Sequence, residues 1–265
     1  CDVPAVIAVR RDATLAGSLI DALCRAGQAD DFIDPKAALP IISKKTLCVV
    51  VDTYQLGLVE SKEILERCGK VAVIDHHRKG VGFIEHADLV CHEPYSSSAS
   101  ELVTELLQYV GDRDDKPSRV EAEGLLSGIM LDTRDFTLHT GVRTFEAAAA
   151  LRRYGAETER VRQLFDVTMV EYNAKADLVE AAQMYRSCAI SVSGEVPPEA
   201  RVAIAQAAND LLTIQNVEAS FVAVQVGNGV NISARSLGAV NVQVIMESLG
   251  GGGHQTMAAA QLKHI

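Results

Sequence analysis

The chain has 265 residues, 48% of them hydrophobic, with 35 acidic against 25 basic side chains and a formal net charge of −10. That length suits one large or two small domains, and that apolar content supplies a core, which excludes a disordered tail. The acidic balance excludes a broad duplex-DNA surface, which needs many Lys and Arg to neutralise phosphates.

The first half alternates short apolar runs with amphipathic stretches. Val3–Val9 reads as a strand, and Thr14–Ala26 repeats Leu15, Leu19 and Leu23 at helical spacing. Thr46–Val51 and Val71–Ile74 are continuous apolar runs separated by a helical segment, Glu60–Cys68. Strands this uniformly apolar belong to a parallel sheet covered on both faces, so an α/β layer architecture is expected. From Ser97 to Ala182 the pattern is mainly helical. Ser98 and Glu101 have capping-box spacing, Ser118–Leu131 is apolar along one side, Thr144–Arg153 is Ala-rich, and Val170–Tyr185 predicts a long connecting helix. The expected domains are therefore 1–182 and 183–265. In the second, Cys188–Val192 and Phe221–Val226 predict strands around a helix at Glu199–Leu212, and Gly227–Gly229 marks a hairpin. Val230–Ser236 alternates, with Asn231, Ser233 and Arg235 on one face of a small α+β unit.

The six cysteines, Cys1, Cys24, Cys48, Cys68, Cys91 and Cys188, show no C-x-x-C spacing and read as reduced thiols. No run approaches the ~18 apolar residues of a membrane span, and nothing near Cys1 reads as a signal peptide. A cytoplasmic location is the expectation.

Two apolar strands end in carboxylates, Asp52 after LCVVV and Asp75 after VAVI. In a parallel sheet both fall at the carboxyl edge, where α/β proteins bind ligands. His76 and His77 follow Asp75 at once, and Asp132 closes the apolar stretch LLSGIMLD. A lone Asp after a strand is most often a turn or cap residue, and two adjacent His are often only surface residues. Three such positions at the edges of buried elements instead suggest a cation site. Its mixed imidazole and carboxylate donors suit manganese, iron or magnesium better than thiolate zinc. A divalent cation would also offset the cost of burying Asp132.

Gly250, Gly251, Gly252 and Gly253 precede His254. Four glycines allow positive φ and close approach of backbone N–H groups to an anion; the plain alternative is a helix C-cap and turn. His254 and Arg235 can both donate to a phosphate.

VVVDTY (Val49–Tyr54), VIDHHR (Val73–Arg78), MLDTRDF (Met130–Phe136) and RSLGAVNVQVIMESLGGGGHQTMAAAQL (Arg235–Leu262) together resemble the DHH-family phosphoesterases that carry a DHH-associated C-terminal domain. The glycine-rich segment is most similar to the GdpP-type cyclic-di-AMP phosphodiesterases. The resemblance implies a site for two Mn²⁺ ions, with Asp52 bridging both and His76 and Asp132 each binding one. It implies that His77 faces the substrate phosphate and protonates the leaving oxygen, with Asp75 orienting the histidines. Arg235, Gly250–Gly253 and His254 are implied as the substrate clamp of the second domain. The expected substrate is a cyclic dinucleotide cleaved to a linear one, or a short oligonucleotide or pAp on the same scaffold. A homodimer and membership of a longer membrane-anchored protein are also implied. The family's HxxxDxD motif, which contributes three further ligands, is not among these residues. A protein without it would be an inactive nucleotide-binding module.

Overall fold

Alternating apolar runs and amphipathic segments become layered α/β structure in the computed structural model, which describes residues 3–11, 14, 16–77, 82–109, 116–196, 201–253 and 255–263. The chain divides into two units, Cys1–Asp166 and Val167–Ile265. In the first, β1 (Ile7–Ala8) pairs in parallel with β2 (Phe32–Ile33). Between them α1 (Gly17–Leu23) runs into a π-helical stretch, Cys24–Gln28, where Gly27 takes φ 97°. The short α2 (Pro35–Ala38) leads to β3 (Leu47–Val51), α3 (Lys62–Arg67), β4 (Lys70–Asp75) and β5 (Leu89–His92).

Strands β3, β4 and β5 form a parallel sheet in sequence order. Val71, Val73 and Asp75 are buried on one face, whereas Leu47, Val49, Val51 and Leu89, on the other, are each more than half exposed. The register sets Asp75 opposite His92, so both side chains leave the same face at the carboxyl edge. The sequence pattern did not separate β5 from the loops around it.

Helices α4 (Ala99–Leu107), α5 (Arg119–Thr133), α6 (Val142–Arg153) and α7 (Thr158–Gln163) complete the unit. Leu126, Ile129, Leu151 and Val161 pack together from three of them in a fully buried cluster. Ser118 and Glu121 form a reciprocal capping box on α5. At α4 the Ser98 hydroxyl accepts from Glu101 N at 3.0 Å. The Glu101 carboxylate, however, turns to the hydroxyls of Ser96 (2.9 Å) and Ser97 (2.5 Å) instead of returning to Ser98.

The second unit contains α8 (Met169–Glu180), β6 (Gln183–Tyr185), β7 (Cys188–Glu195), α9 (Arg201–Leu211), β8 (Ala219–Val226), β9 (Gly229–Ser236), α10 (Val242–Ser248), β10 (Gly252–Gly253) and β11 (Met257–Lys263). The six strands are ordered β10-β11-β9-β8-β7-β6, and only β7 and β8, joined through α9, are parallel. Helices α8 and α9 bury Leu178, Ala207 and Leu211 with Val222 and Val224. On the alternate face of the sheet, Val242 and Met246 of α10 pack on Ala234 and Ala258.

The predicted connecting helix therefore ends at Glu180, and Gln183–Tyr185 turns back as a strand against β7. Because Leu178 joins the core of the second unit, the division falls ahead of α8 and not after residue 182.

Candidate functional site

The carboxyl edge of the parallel sheet gathers Asp52, Asp75, His76 and His77, and α5 brings Asp132 to them. Asp52 directly follows β3, where its N–H extends the ladder to Ile74 O at 3.0 Å and its backbone takes φ 62°. Asp tolerates the left-handed region better than most residues, and the turn aims its side chain away from the strand direction. Asp75, the last residue of β4, is fully buried. Its Oδ1 accepts from His76 N at 2.9 Å and His77 N at 3.3 Å, and pairs with His77 Nδ1 at 2.7 Å. One carboxylate thus fixes the backbone and the ring of the histidines that follow it.

His76 Nε2 lies 3.4 Å from Asp52 Oδ1 and 3.6 Å from Asp132 Oδ2, with its Nδ1 3.4 Å from Ser96 O. His77 Nδ1 is 4.0 Å from Asp52 Oδ1. Donor atoms of Asp52, His76 and His77 fall within 4.8 Å of one another. Asp132 sits in the last turn of α5, where the helix dipole is unfavourable to an anion. The helix is stopped there by Arg134, Asp135 and Phe136, all with positive φ, while Thr133 Oγ1 accepts from Phe136 N at 2.9 Å.

The electrostatics follow from this crowding. Burial, reinforced by the charge of Asp52, pushes the Asp132 carboxyl up to about 6. Burial would lower His76, but the hydrogen bond to Asp52 and the charges of Asp132 and Asp52 raise it above the usual imidazole range. The hydrogen bond to Asp75 raises His77. Burial would raise Asp75, yet its bonds to His77 and His76 hold it below the usual carboxylate range. Asp75 Oδ2 is buried without a hydrogen-bond partner among the described residues.

The donor set fits a hard divalent cation. Cis ligands of an octahedral ion bound at 2.0–2.1 Å stand about 3 Å apart, close to the separations of His76 Nε2 from Asp52 and Asp132.

Three supporting residues escaped the sequence reading. His92 Nε2 lies 2.5 Å from His77 O, Tyr54 meets the His92 ring edge-on at 5.7 Å, and the Ser96 carbonyl sits against His76. The run LVCH, an apolar stretch ending in an imidazole like the other strands ending in Asp, was the available signal for His92.

In the second unit, Arg235 is 7% exposed. Its guanidinium donates to Asn209 Oδ1 (3.0 Å), Ser233 Oγ (3.0 Å) and Ala234 O (2.9 Å). Gly250, at φ 78°, ends α10, with Gly250 N donating to Glu247 O and Gly251 N to Met246 O. A Cβ on Gly251 would lie 2.1 Å from Ala259 O, and one on Gly253 2.5 Å from Met257 O, whereas Gly252 has open space. The close approach of the glycines is thus to β11. His254 lies outside the described residues.

Among the described residues no helix is long and apolar enough to cross a membrane. The model of the DHH family, N-terminal domain, matches residues 9–129, and that of the DHHA1 domain matches residues 198–264. The chain is 51% identical over 235 residues to the cyclic-di-AMP phosphodiesterase GdpP of Geobacillus thermodenitrificans, covering 88% of this chain and 36% of that protein. It is 44% identical over 237 residues to the cyclic-di-AMP phosphodiesterase PdeA of Listeria monocytogenes, covering 89% of this chain and 36% of that protein. The chain therefore spans about a third of the length of these relatives. An exopolyphosphatase-related protein from Bacteroides fragilis shares the fold, with a TM-score of 0.78 at 20% identity over 91% of this chain and 74% of that one. The parallel-sheet unit and the mixed-sheet unit that follows it are a DHH-family N-terminal domain and a DHHA1 domain, and the chain belongs to that family.

Proposed function

We propose that the chain carries part of the active centre of a Mn²⁺-dependent phosphodiesterase that opens cyclic-di-AMP to linear pApA, a centre that also needs the HxxxDxD ligands absent from these residues. The observation that carries this reading is that His76 Nε2, at the sheet edge, stands 3.4 Å from Asp52 Oδ1 and 3.6 Å from Asp132 Oδ2, side chains from three different elements. The 51% identity to a cyclic-di-AMP phosphodiesterase supports the choice of substrate.

Asp52, His76 and Asp132 are the residues that would hold the cations. When bound, such ions lower the pKa of water and neutralise phosphate oxygens. Asp75 fixes the direction in which His76 and His77 point, which keeps the donors arranged before any ligand arrives. His77, whose Nδ1 pairs with Asp75 and whose imidazole that bond raises above the usual range, is the proton source for the leaving oxygen. In the reaction a water oxygen bonds to phosphorus as the water gives up one proton, the P–O3′ bond breaks, O3′ departs with the proton of His77, and the proton released by the water restores that of His77. The product is a linear dinucleotide ending in a 5′-phosphate. Arg235 and the glycine segment serve the second unit's contact with the substrate.

The test combines cation binding with turnover. In a protein that also carries the HxxxDxD ligands, Asp52→Ala, His76→Ala and Asp132→Ala each abolish Mn²⁺-supported hydrolysis of cyclic-di-AMP while the circular-dichroism spectrum stays unchanged. Full activity in any of these folded variants overturns the metal assignment. Hydrolysis of pAp in preference to cyclic-di-AMP overturns the substrate.

A further inference from the structure

On the α9 side of the second unit's sheet there is a cleft of about 600 Å³, within the range of nucleotide-sized sites. Its lining combines Ile204 and Ala205 of α9, Gly250 and Gly251 of the glycine segment, and a mixed polar and apolar stretch of β9 and β11. Asn231 and Gln261 stand directly opposite each other in the antiparallel register, and both line the cleft. Directly opposed side chains on one face have Cβ atoms about 5 Å apart. Asn is depleted in strands, and an exposed strand face is ordinarily only a solvated surface. One feature departs from a plain solvated face. Ser233, which also lines the cleft, is 7% exposed and accepts from Arg235 Nη1 at 3.0 Å, so a buried polar network underlies the cleft. Among the described residues, neither the Asn231 nor the Gln261 amide is engaged in a side-chain hydrogen bond.

We propose that this cleft binds an adenine nucleotide and that Asn231 and Gln261 read the edge of its base. A primary amide offers one N–H donor beside one C=O acceptor, the complement of adenine N7 and N6–H. Guanine presents two acceptors, N7 and O6, on the same edge, and that pattern calls for the two donors of an Arg or Lys. Lys263, at the rim of the cleft, supplies a cation for the nucleotide phosphate. The assignment deepens the hydrolase reading and rests on its nucleotide substrate. Its residues, however, all lie within the second unit and are separate from the cation ligands.

The experiment is calorimetric and NMR titration of the whole chain with AMP, GMP and ribose 5-phosphate. AMP binds at least ten-fold more tightly than either of the others, and it shifts the side-chain NH₂ resonances of Asn231 and Gln261. Asn231→Leu and Gln261→Leu each weaken AMP about ten-fold and leave ribose 5-phosphate and Mn²⁺ affinity unchanged. Gln261→Glu, which keeps the volume but removes the donor, has the same effect and guards against loss through misfolding. Equal affinity for AMP and ribose 5-phosphate, preference for GMP, or unaltered AMP binding in the folded variants overturns the proposal. If a protein that also carries the HxxxDxD ligands fails to hydrolyse cyclic-di-AMP with Mn²⁺ but the chain binds AMP as stated, the hydrolase reading falls and the base-binding site stands. If hydrolysis proceeds and AMP binding ignores both amides, the base-binding site falls alone.

Discussion

Asp75 and Glu101 are both fully buried carboxylates in the first unit, and they do different work. Asp75 spends one oxygen on three nitrogen partners of the Asp-His-His run, and so sets where both rings point. Asp75→Asn keeps the shape but removes the negative charge that faces His77 Nδ1. Mn²⁺ affinity is expected to fall 10–100-fold with Asp52, His76 and Asp132 all present, as measured by calorimetry. Unchanged affinity would remove the orienting role. Glu101 instead ties the Ser96–Ser98 turn to α4. Burial alone would raise its carboxyl, but the hydroxyls of Ser97, Thr144 and Ser96 hold it below the usual range. A depressed folded value contributes stability above the unfolded value and loses it as pH falls through the folded one. Glu101→Gln is therefore expected to cost about 2 kcal/mol at pH 7 and to flatten the acid limb of stability. Denaturant melts of both proteins between pH 3 and 7 check this, and parallel acid limbs would contradict it.

At the level of the element, the glycine tetrad separates into positions with different tasks. Gly251 and Gly253 allow β10 to lie against β11, while Gly252 faces open space. Gly251→Ala forces a Cβ to 2.1 Å from a backbone carbonyl, which only a shift of β10 relieves. It is expected to destabilise the second unit by about 2 kcal/mol or more, against about 0.5 kcal/mol or less for Gly252→Ala. Urea unfolding of the two variants side by side tests the contrast, and equal losses would show that β10 does not need the close approach. The left-handed turn of Arg134–Phe136 is the counterpart in the first unit. It halts α5 just after Asp132, so the carboxylate emerges at the helix end beside His76.

The whole molecule is two units with separate cores, one around Leu126, Ile129 and Leu151, the other around Leu178, Leu211 and Val222. All the proposed cation ligands lie in the first. A ligand that binds only the native state of one unit stabilises that unit, by about 2.7 kcal/mol at a hundred times its dissociation constant. Scanning calorimetry is expected to show two transitions, of which Mn²⁺ raises only the first unit's. A fragment of residues 167–265 should melt cooperatively at a temperature indifferent to Mn²⁺. A single transition displaced as a whole by the ion would instead mean that the units unfold together.

Local patterns decided much of this by themselves. Apolar runs ending in Asp52 and Asp75 place those carboxylates at a sheet edge, because a short unbroken hydrophobic stretch reads as a strand of a parallel sheet, whose carboxyl end is where the run stops. Alternation put Asn231, Ser233 and Arg235 on one face because strand side chains repeat every two residues. Contacts between distant segments are not written in such periodicities. Only the register of β4 against β5 brings His92 to His77, and only the packing of α5 sets Asp132 3.6 Å from His76. The assignment of α8 to the second unit was likewise decided by Leu178, whose spacing says that it is buried but not against what. Sequence periodicity fixes which side of an element turns inward; the partner it meets there is chosen by the tertiary packing of the whole chain.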